Sequence, residues 1–214
     1  MKPKKRLLTA GGDLRQLTAA ERLADSFSVT VTGFERYGAL PAAVASADRI
    51  QTIPAGLDAL LLPMPVTQDG VFLHTPFSSN TVTLSALLPL VKPGGTVLGG
   101  RMSPAEIKQI ESLGLRAEDY AKAEAFAIRN AIPTAEAAIQ LAMQELPVVM
   151  LNLPCLILGA GRISRALQPR LLALGAKVGV AARRCDDLAR RKGYERKPVC
   201  RLHLNPPKTS QDAN

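Results

Sequence analysis

Short apolar runs alternate with amphipathic stretches along the first 120 residues, and the period of the pattern switches between two and 3.6 residues. Lys5–Ala10 (KRLLTA) reads as a strand that ends in Gly11-Gly12-Asp13. Residues 14–25 then place Leu14, Leu17 and Leu23 on or near one helical face. Phe27–Thr32 (FSVTVT) alternates like a strand and stops at Gly33. Residues 57–63 predict a buried strand closed by Pro63-Met64-Pro65. The pattern further predicts a helix over 82–91, a turn at Pro93-Gly94-Gly95 and a strand over 96–98. Ser103-Pro104-Ala105-Glu106 supplies an N-cap, a proline at the first helical position and a carboxylate in the first turn. Regular alternation of strand and helix implies a parallel sheet covered on both faces.

The longest helical pattern covers residues 121–146, and Pro133 is expected to divide it, with Thr134 and Glu136 opening the second helix. The predicted fold is α/β, with two Rossmann-like parallel-sheet domains of which the second is incomplete. Residues 1–120 form an N-terminal substrate or flavodoxin-like domain and 121–150 a helical connector. Residues 151–194 form a partial NAD(P)-binding Rossmann domain and 195–214 a loose tail.

The second domain opens on chemistry. An apolar strand from Cys155 to Leu158 runs into Gly159-Ala160-Gly161-Arg162-Ile163-Ser164, and a helix and a second strand over 177–181 follow. This is a GxGxxS form of the dinucleotide fingerprint. Gly159 permits the tight turn, Gly161 lets main-chain amides approach a pyrophosphate, and Ser164 is small enough for close helix–strand packing. The competing possibility is a glycine turn with a structural role only. At the end of the second strand an NAD-specific site would carry a carboxylate for the ribose, whereas this chain has Ala181-Ala182-Arg183-Arg184. Two guanidiniums there favour the 2′-phosphate of NADP, with NAD as the other candidate, unless the arginines merely solvate a loop.

Composition narrows the classes. Apolar residues make up 47% of the chain, enough for a buried core, and aromatics only 4%, so Ala, Leu, Val and Ile must build it. The net charge of +9 is concentrated between Arg183 and Lys208 but is not interleaved with stacking aromatics, which favours anionic small molecules over nucleic acid. Three cysteines without CxxC spacing fit reduced thiols in a cytoplasm and offer no metal site. No stretch approaches the roughly 18 apolar residues of a membrane span.

Three segments together resemble the A subunits of dipicolinate synthase. They are Gly11-Gly12-Asp13-Leu14-Arg15-Gln16, Asn130-Ala131-Ile132-Pro133-Thr134-Ala135-Glu136, and Leu158-Gly159-Ala160-Gly161-Arg162-Ile163 with the following Ala-Leu-Gly-Ala and Ala-Arg. The likeness runs from residue 6 to about residue 194. It implies an NAD(P)-dependent oxidoreductase subunit that, with a separate B subunit, makes dipicolinate from a dihydrodipicolinate-type precursor during sporulation. It also implies a cytoplasmic place in the mother cell; a homo-oligomer stays open. The substrate it implies is a small dicarboxylate, and candidate contacts are Gly11, Gly12 and the amides behind Asp13, with Arg15, Ser78, Asn130, Thr134 and Glu136. Arg15 is alternatively a surface helix residue, and Thr134 and Glu136 alternatively cap a helix. His74 is a candidate general base or else a structural histidine at a strand end.

Family members continue beyond this point with further strands. Here the segment after Gly193-Tyr194 is basic, carries prolines and lacks a strand–helix rhythm, so the second domain predicts only two strands. A truncated or shifted reading frame is the expected cause, a natural short form the alternative. The corresponding expectation is weak NADP(H) binding and no activity alone. A related NADP-dependent 2-hydroxy or 2-amino acid dehydrogenase and an inactive interaction subunit remain the competing functions.

Overall fold

The computed structural model describes residues 3–183 and the strand at 199–200. The chain divides into two compact units, Met1–Glu124 and Ala125–Asn214.

The first unit strings together β1 (Lys5–Ala10), α1 (Leu14–Leu23), β2 (Phe27–Thr32), β3 (Ala45–Ser46), β4 (Leu57–Leu61), α2 (Leu84–Leu87), β5 (Val91–Gly99), α3 (Pro104–Glu111) and β6 (Arg116–Asp119). All six strands run parallel in the order β3-β2-β1-β4-β5-β6. That is the full doubly wound Rossmann order; the flavodoxin type runs 2-1-3-4-5. The order reverses between β1 and β4, and in such sheets ligands bind beyond the carboxyl ends of the strands at that reversal.

Both faces of this sheet are covered, because strand side chains alternate between two apolar layers. On one side Leu7, Val29 and Val31 pack with Leu17 and Ala20 of α1. On the other, Leu8, Leu60 and Val97 pack with Leu87, Leu88 and Ile110. The start of α3 is the capping box its sequence predicts: Glu106 N donates to Ser103 Oγ at 3.3 Å and Ser103 N donates to Glu106 Oε2 at 2.7 Å. The segment over 82–99 differs from expectation. Only Leu84–Leu87 is α-helical, a 3₁₀ turn follows, and Pro93-Gly94-Gly95 lies inside β5. Pairing with β4 explains this. Leu57 faces Val91 while Ala59 faces Thr96, so the extra residues of β5 bulge out, with Gly94 at φ 72 absorbing the bend.

The second unit contains α4 (Glu124–Glu145), β7 (Pro154–Leu158), α5 (Arg162–Ala173), β8 (Lys177–Ala182) and β9 (Val199–Cys200). Pro133 does not divide the helical region: α4 runs through it for 22 residues. A proline removes a single amide from the ladder, and bonds on either side of it hold the helix together. Thr134 is therefore mid-helix, its hydroxyl donating to the Asn130 carbonyl at 2.7 Å instead of capping a new helix. The strands form a parallel sheet in the order β7-β8-β9. β9 is a third strand where two were expected, because Val199 and Cys200 pair with Ala181 and Ala182. The core of this unit gathers Ile139, Met150, Leu171 and Ala176 against Cys155 and Ile157. Leu156 and Leu158 point to the opposite face of β7, where they are 59% and 76% exposed.

Candidate functional site

Each unit contains a strand, a glycine turn and a helix in succession, and the two turns differ in what surrounds them. In the first, Gly11 and Gly12 stand at φ 63 and 91. Gly11 N donates to the Thr32 carbonyl at 2.9 Å and Gly12 N to the His74 carbonyl at 2.7 Å, so both amides are engaged within the protein. A Cβ on Gly12 would lie 2.1 Å from Gln16 Cγ, and one on Gly11 would lie 2.8 Å from the His74 carbonyl oxygen. The start of α1 already holds an anion, since Asp13 accepts from Arg15 N at 3.0 Å. The Arg15 side chain closes the same carboxylate, with Nε at 2.9 and 3.0 Å and Nη2 at 2.7 Å. That hydrogen-bonded pairing holds the Asp13 carboxyl below its ordinary range, and His74 lies within electrostatic reach of it. The Gly11, Gly12 and Arg15 amides, among those expected to receive a ligand carboxylate here, are thus engaged by the chain's own groups.

His74 is half-buried, and Gln68 Nε2 donates to its Nδ1 at 2.7 Å. An amide NH₂ only donates, so this contact suits a ring whose Nδ1 accepts. Ser78 turns back on its own loop, its Oγ accepting from Asn80 N at 2.9 Å and donating to the Asn80 carbonyl at 3.1 Å. Asn130, Thr134 and Glu136 belong to α4 in the second unit, where Glu136 binds Arg170 of α5 through Nε at 3.1 Å and Nη2 at 2.9 Å. The structure thus groups Gly12, Asp13, Arg15 and His74, and places the α4 residues in the other unit.

In the second turn, Gly159 stands at φ 110 and its amide donates to the Ala181 carbonyl at 2.7 Å, tying the turn to β8. A Cβ at Gly159 or Gly161 would meet nothing within 4 Å among the described residues. Gly161 is the N-cap of α5 and supplies no side-chain cap. The first-turn amides of a helix have no intrahelical partners, so this end carries donors and a partial positive charge. Ser164 is buried and accepts from Gln168 Nε2 at 2.9 Å, which fits the packing role of the third small residue. Arg162 and Ile163 are on the exposed first turn, and Arg183 is exposed just past β8. Arg184 lies outside the described residues. The geometry fits the diphosphate of a dinucleotide.

The sequence did not single out Gln68, Arg101, Asp119 or Tyr120. Asp119 takes hydrogen bonds from Arg101 N at 2.9 Å, Met102 N at 3.2 Å and Ala121 N at 3.0 Å. Tyr120 donates to the Leu62 carbonyl at 3.2 Å, and burial pushes its hydroxyl up to about 12. The only sequence signal for this corner is the Gly99-Gly100 doublet at the end of β5. A cavity of about 440 Å³ opens beyond β2 and β3, lined by Thr32, Glu35, Asp48, Arg49 and Asn80 among others, and none of the expected site residues lines it.

A family model described as the N-terminal domain of the dipicolinate synthase A subunit matches residues 6–121. The chain belongs to the family of dipicolinate synthase A subunits. It is 29% identical over 189 residues to the dipicolinate synthase A subunit of Bacillus subtilis (strain 168), covering 86% of this chain and 63% of that one. The crystal structure of the dipicolinate synthase A subunit from Bacillus halodurans superposes with a TM-score of 0.76 at 29% identity, over 89% of this chain and 66% of that one. The chain thus spans somewhat less than two thirds of the length of these relatives. An L-alanine dehydrogenase shares the fold alone, with a TM-score of 0.54 at 13% identity over 86% of this chain and 56% of that one. Among the described residues, no helix is long and apolar enough to cross a membrane.

Proposed function

We propose that this chain is the A-type component of a dipicolinate-forming oxidoreductase, with NADP held by the second unit and a dihydrodipicolinate-type dianion by the first. The observation that carries this reading is the glycine turn at 159–161, with nothing over it among the described residues, at a strand-to-helix junction in a chain of this family. Gly159 and Gly161 leave room for a diphosphate against the amides that open α5. Arg183 follows Ala181 and Ala182, so the end of β8 has a cation for a 2′-phosphate and no carboxylate for a ribose diol. A bound nicotinamide supplies the two-electron acceptor for oxidation of the ring, which aromatisation favours. In the first unit, His74 presents Nε2–H to a ligand oxygen, with Gln68 fixing the tautomer. A B-type subunit is the partner, and the cytoplasm of a sporulating cell is the setting, through the same family link.

Calorimetric titration tests the cofactor assignment. NADPH is expected to bind about tenfold tighter than NADH, the worth of one charge-assisted contact. Arg183→Ala removes the preference, and Gly161→Ala weakens both cofactors without moving the unfolding midpoint. Equal affinities in the wild type overturn the NADP assignment, and an unaffected Gly161→Ala variant overturns the phosphate turn.

A further inference from the structure

Arg101 stands at φ 57, two residues past β5, directly after Gly99-Gly100. A side chain with a Cβ is disfavoured in this left-handed region, arginine is not among the types that tolerate it, and glycine would adopt it freely. The conformation is imposed from outside: Asp119 accepts from the amides of Arg101, Met102 and Ala121 together. The neighbouring Gly100 sits against Tyr120, since a Cβ there would lie 2.8 Å from its ring. Tyr120 in turn lies within electrostatic reach of Arg15, so the loops after β1, β5 and β6 meet at one corner of the sheet. That corner flanks the reversal of strand order between β1 and β4, where sheets of this order take their ligands.

The two cations at this edge are not equivalent. Arg15 is neutralised by the Asp13 carboxylate through both Nε and Nη2. The Arg101 guanidinium has neither a hydrogen bond nor an ion pair among the described residues. A left-handed backbone held by two hydrogen bonds to Asp119, at Arg101 and Met102, and carrying a guanidinium without a partner among the described residues, is the pattern of a binding arm. We propose that Arg101, rather than Arg15, is the carboxylate-binding arm of the first unit, pairing with one carboxylate of the ligand held beyond β1 and β4. This rests on the first unit being the substrate unit.

The test is calorimetric titration of pyridine-2,6-dicarboxylate, and separately of NADPH and inorganic phosphate, into the wild type, Arg101→Gly and Arg101→Lys. Arg101→Gly keeps the backbone conformation without strain, so its unfolding midpoint is expected to stay level or rise. Its affinity for the dicarboxylate is expected to fall at least tenfold, that for NADPH to stay unchanged, and Arg101→Lys to lose only a few-fold. Equal dicarboxylate affinity in Arg101→Gly overturns the arm and leaves the substrate reading standing. A parallel loss of NADPH or phosphate binding shows a phosphate ligand at Arg101 and also overturns it. No binding by the wild type overturns the substrate reading and the arm with it.

Discussion

The two glycine turns of this chain share one local plan and have opposite surroundings. After β1, the Gly11 and Gly12 amides donate to main-chain carbonyls, Gln16 fills the space over Gly12, and Asp13 occupies the helix start with its own charge. After β7, the space over Gly159 and Gly161 is open among the described residues, and the helix start has no side-chain cap. A strand–glycine–helix sequence therefore leaves room for an anion only where the rest of the fold does not fill the turn. In the first unit the same element is a joint that fixes α1 to the sheet and to the loop carrying His74. Glycine is required there for backbone approach by the protein itself; in the second unit it leaves approach open to a ligand.

The largest expected effect breaks the first turn. Gly12→Ala sets a Cβ 2.1 Å from Gln16 Cγ at φ 91. Strain and overpacking together are expected to cost about 3 kcal/mol, read as a loss of unfolding free energy in denaturant titration. A change below about 1 kcal/mol would show that Gln16 swings away freely and that the turn is not a joint. Gly159→Ala is the counterpart. Its φ of 110 is unfavourable for alanine but its Cβ meets nothing among the described residues, so a cost of about 1–2 kcal/mol is expected from strain alone. If the two alanine variants were equally destabilised, the contrast in packing between the turns would be void.

The smallest effect concerns the anion at the first helix start. Asp13→Ala loses the cap and is expected to cost about 1 kcal/mol at neutral pH. Arg15 holds the Asp13 carboxyl below its ordinary value chiefly by side-chain hydrogen bonding. A group with a depressed folded pKa contributes stability above its unfolded value of about 3.9, and that contribution disappears as pH falls through the folded value. The gap between wild type and Asp13→Ala should therefore be level from about pH 5 to 8 and narrow below about pH 4. Both side chains are substantially exposed, so added salt should also shrink the ion-pair share. A gap that widens in acid would place the stabilisation elsewhere.

Much of the first unit was legible because its strands have strong local signals. Lys5–Ala10 and Phe27–Thr32 are found with the bounds that alternation predicts, and Ser103 with Glu106 forms the capping box their spacing announces. Pro93-Gly94-Gly95 misled, since the same residues suit a turn or a bulge and only pairing with β4 selects the bulge. Pro133 misled for a related reason: losing one amide bond does not outweigh the other bonds of a 22-residue helix. The sites divide in the same way. Gly159, Gly161 and Ser164 stand out as candidates by spacing alone, whereas Gln68 and Arg101 stand out only through contacts remote in sequence or through a backbone angle, which composition and periodicity do not encode.

By itself the sequence determined the alternation of strand and helix, the dinucleotide-type turn with arginine at the end of the following strand, and the family resemblance. These follow from short-range periodicity and the conformational freedom of glycine. Only the tertiary structure decided the strand order of the first sheet and, among the described residues, which glycine turn stays open and which arginine is left without a carboxylate. Those outcomes depend on what distant segments place around a group, and a main-chain amide or guanidinium binds a ligand only when no nearer partner has taken it.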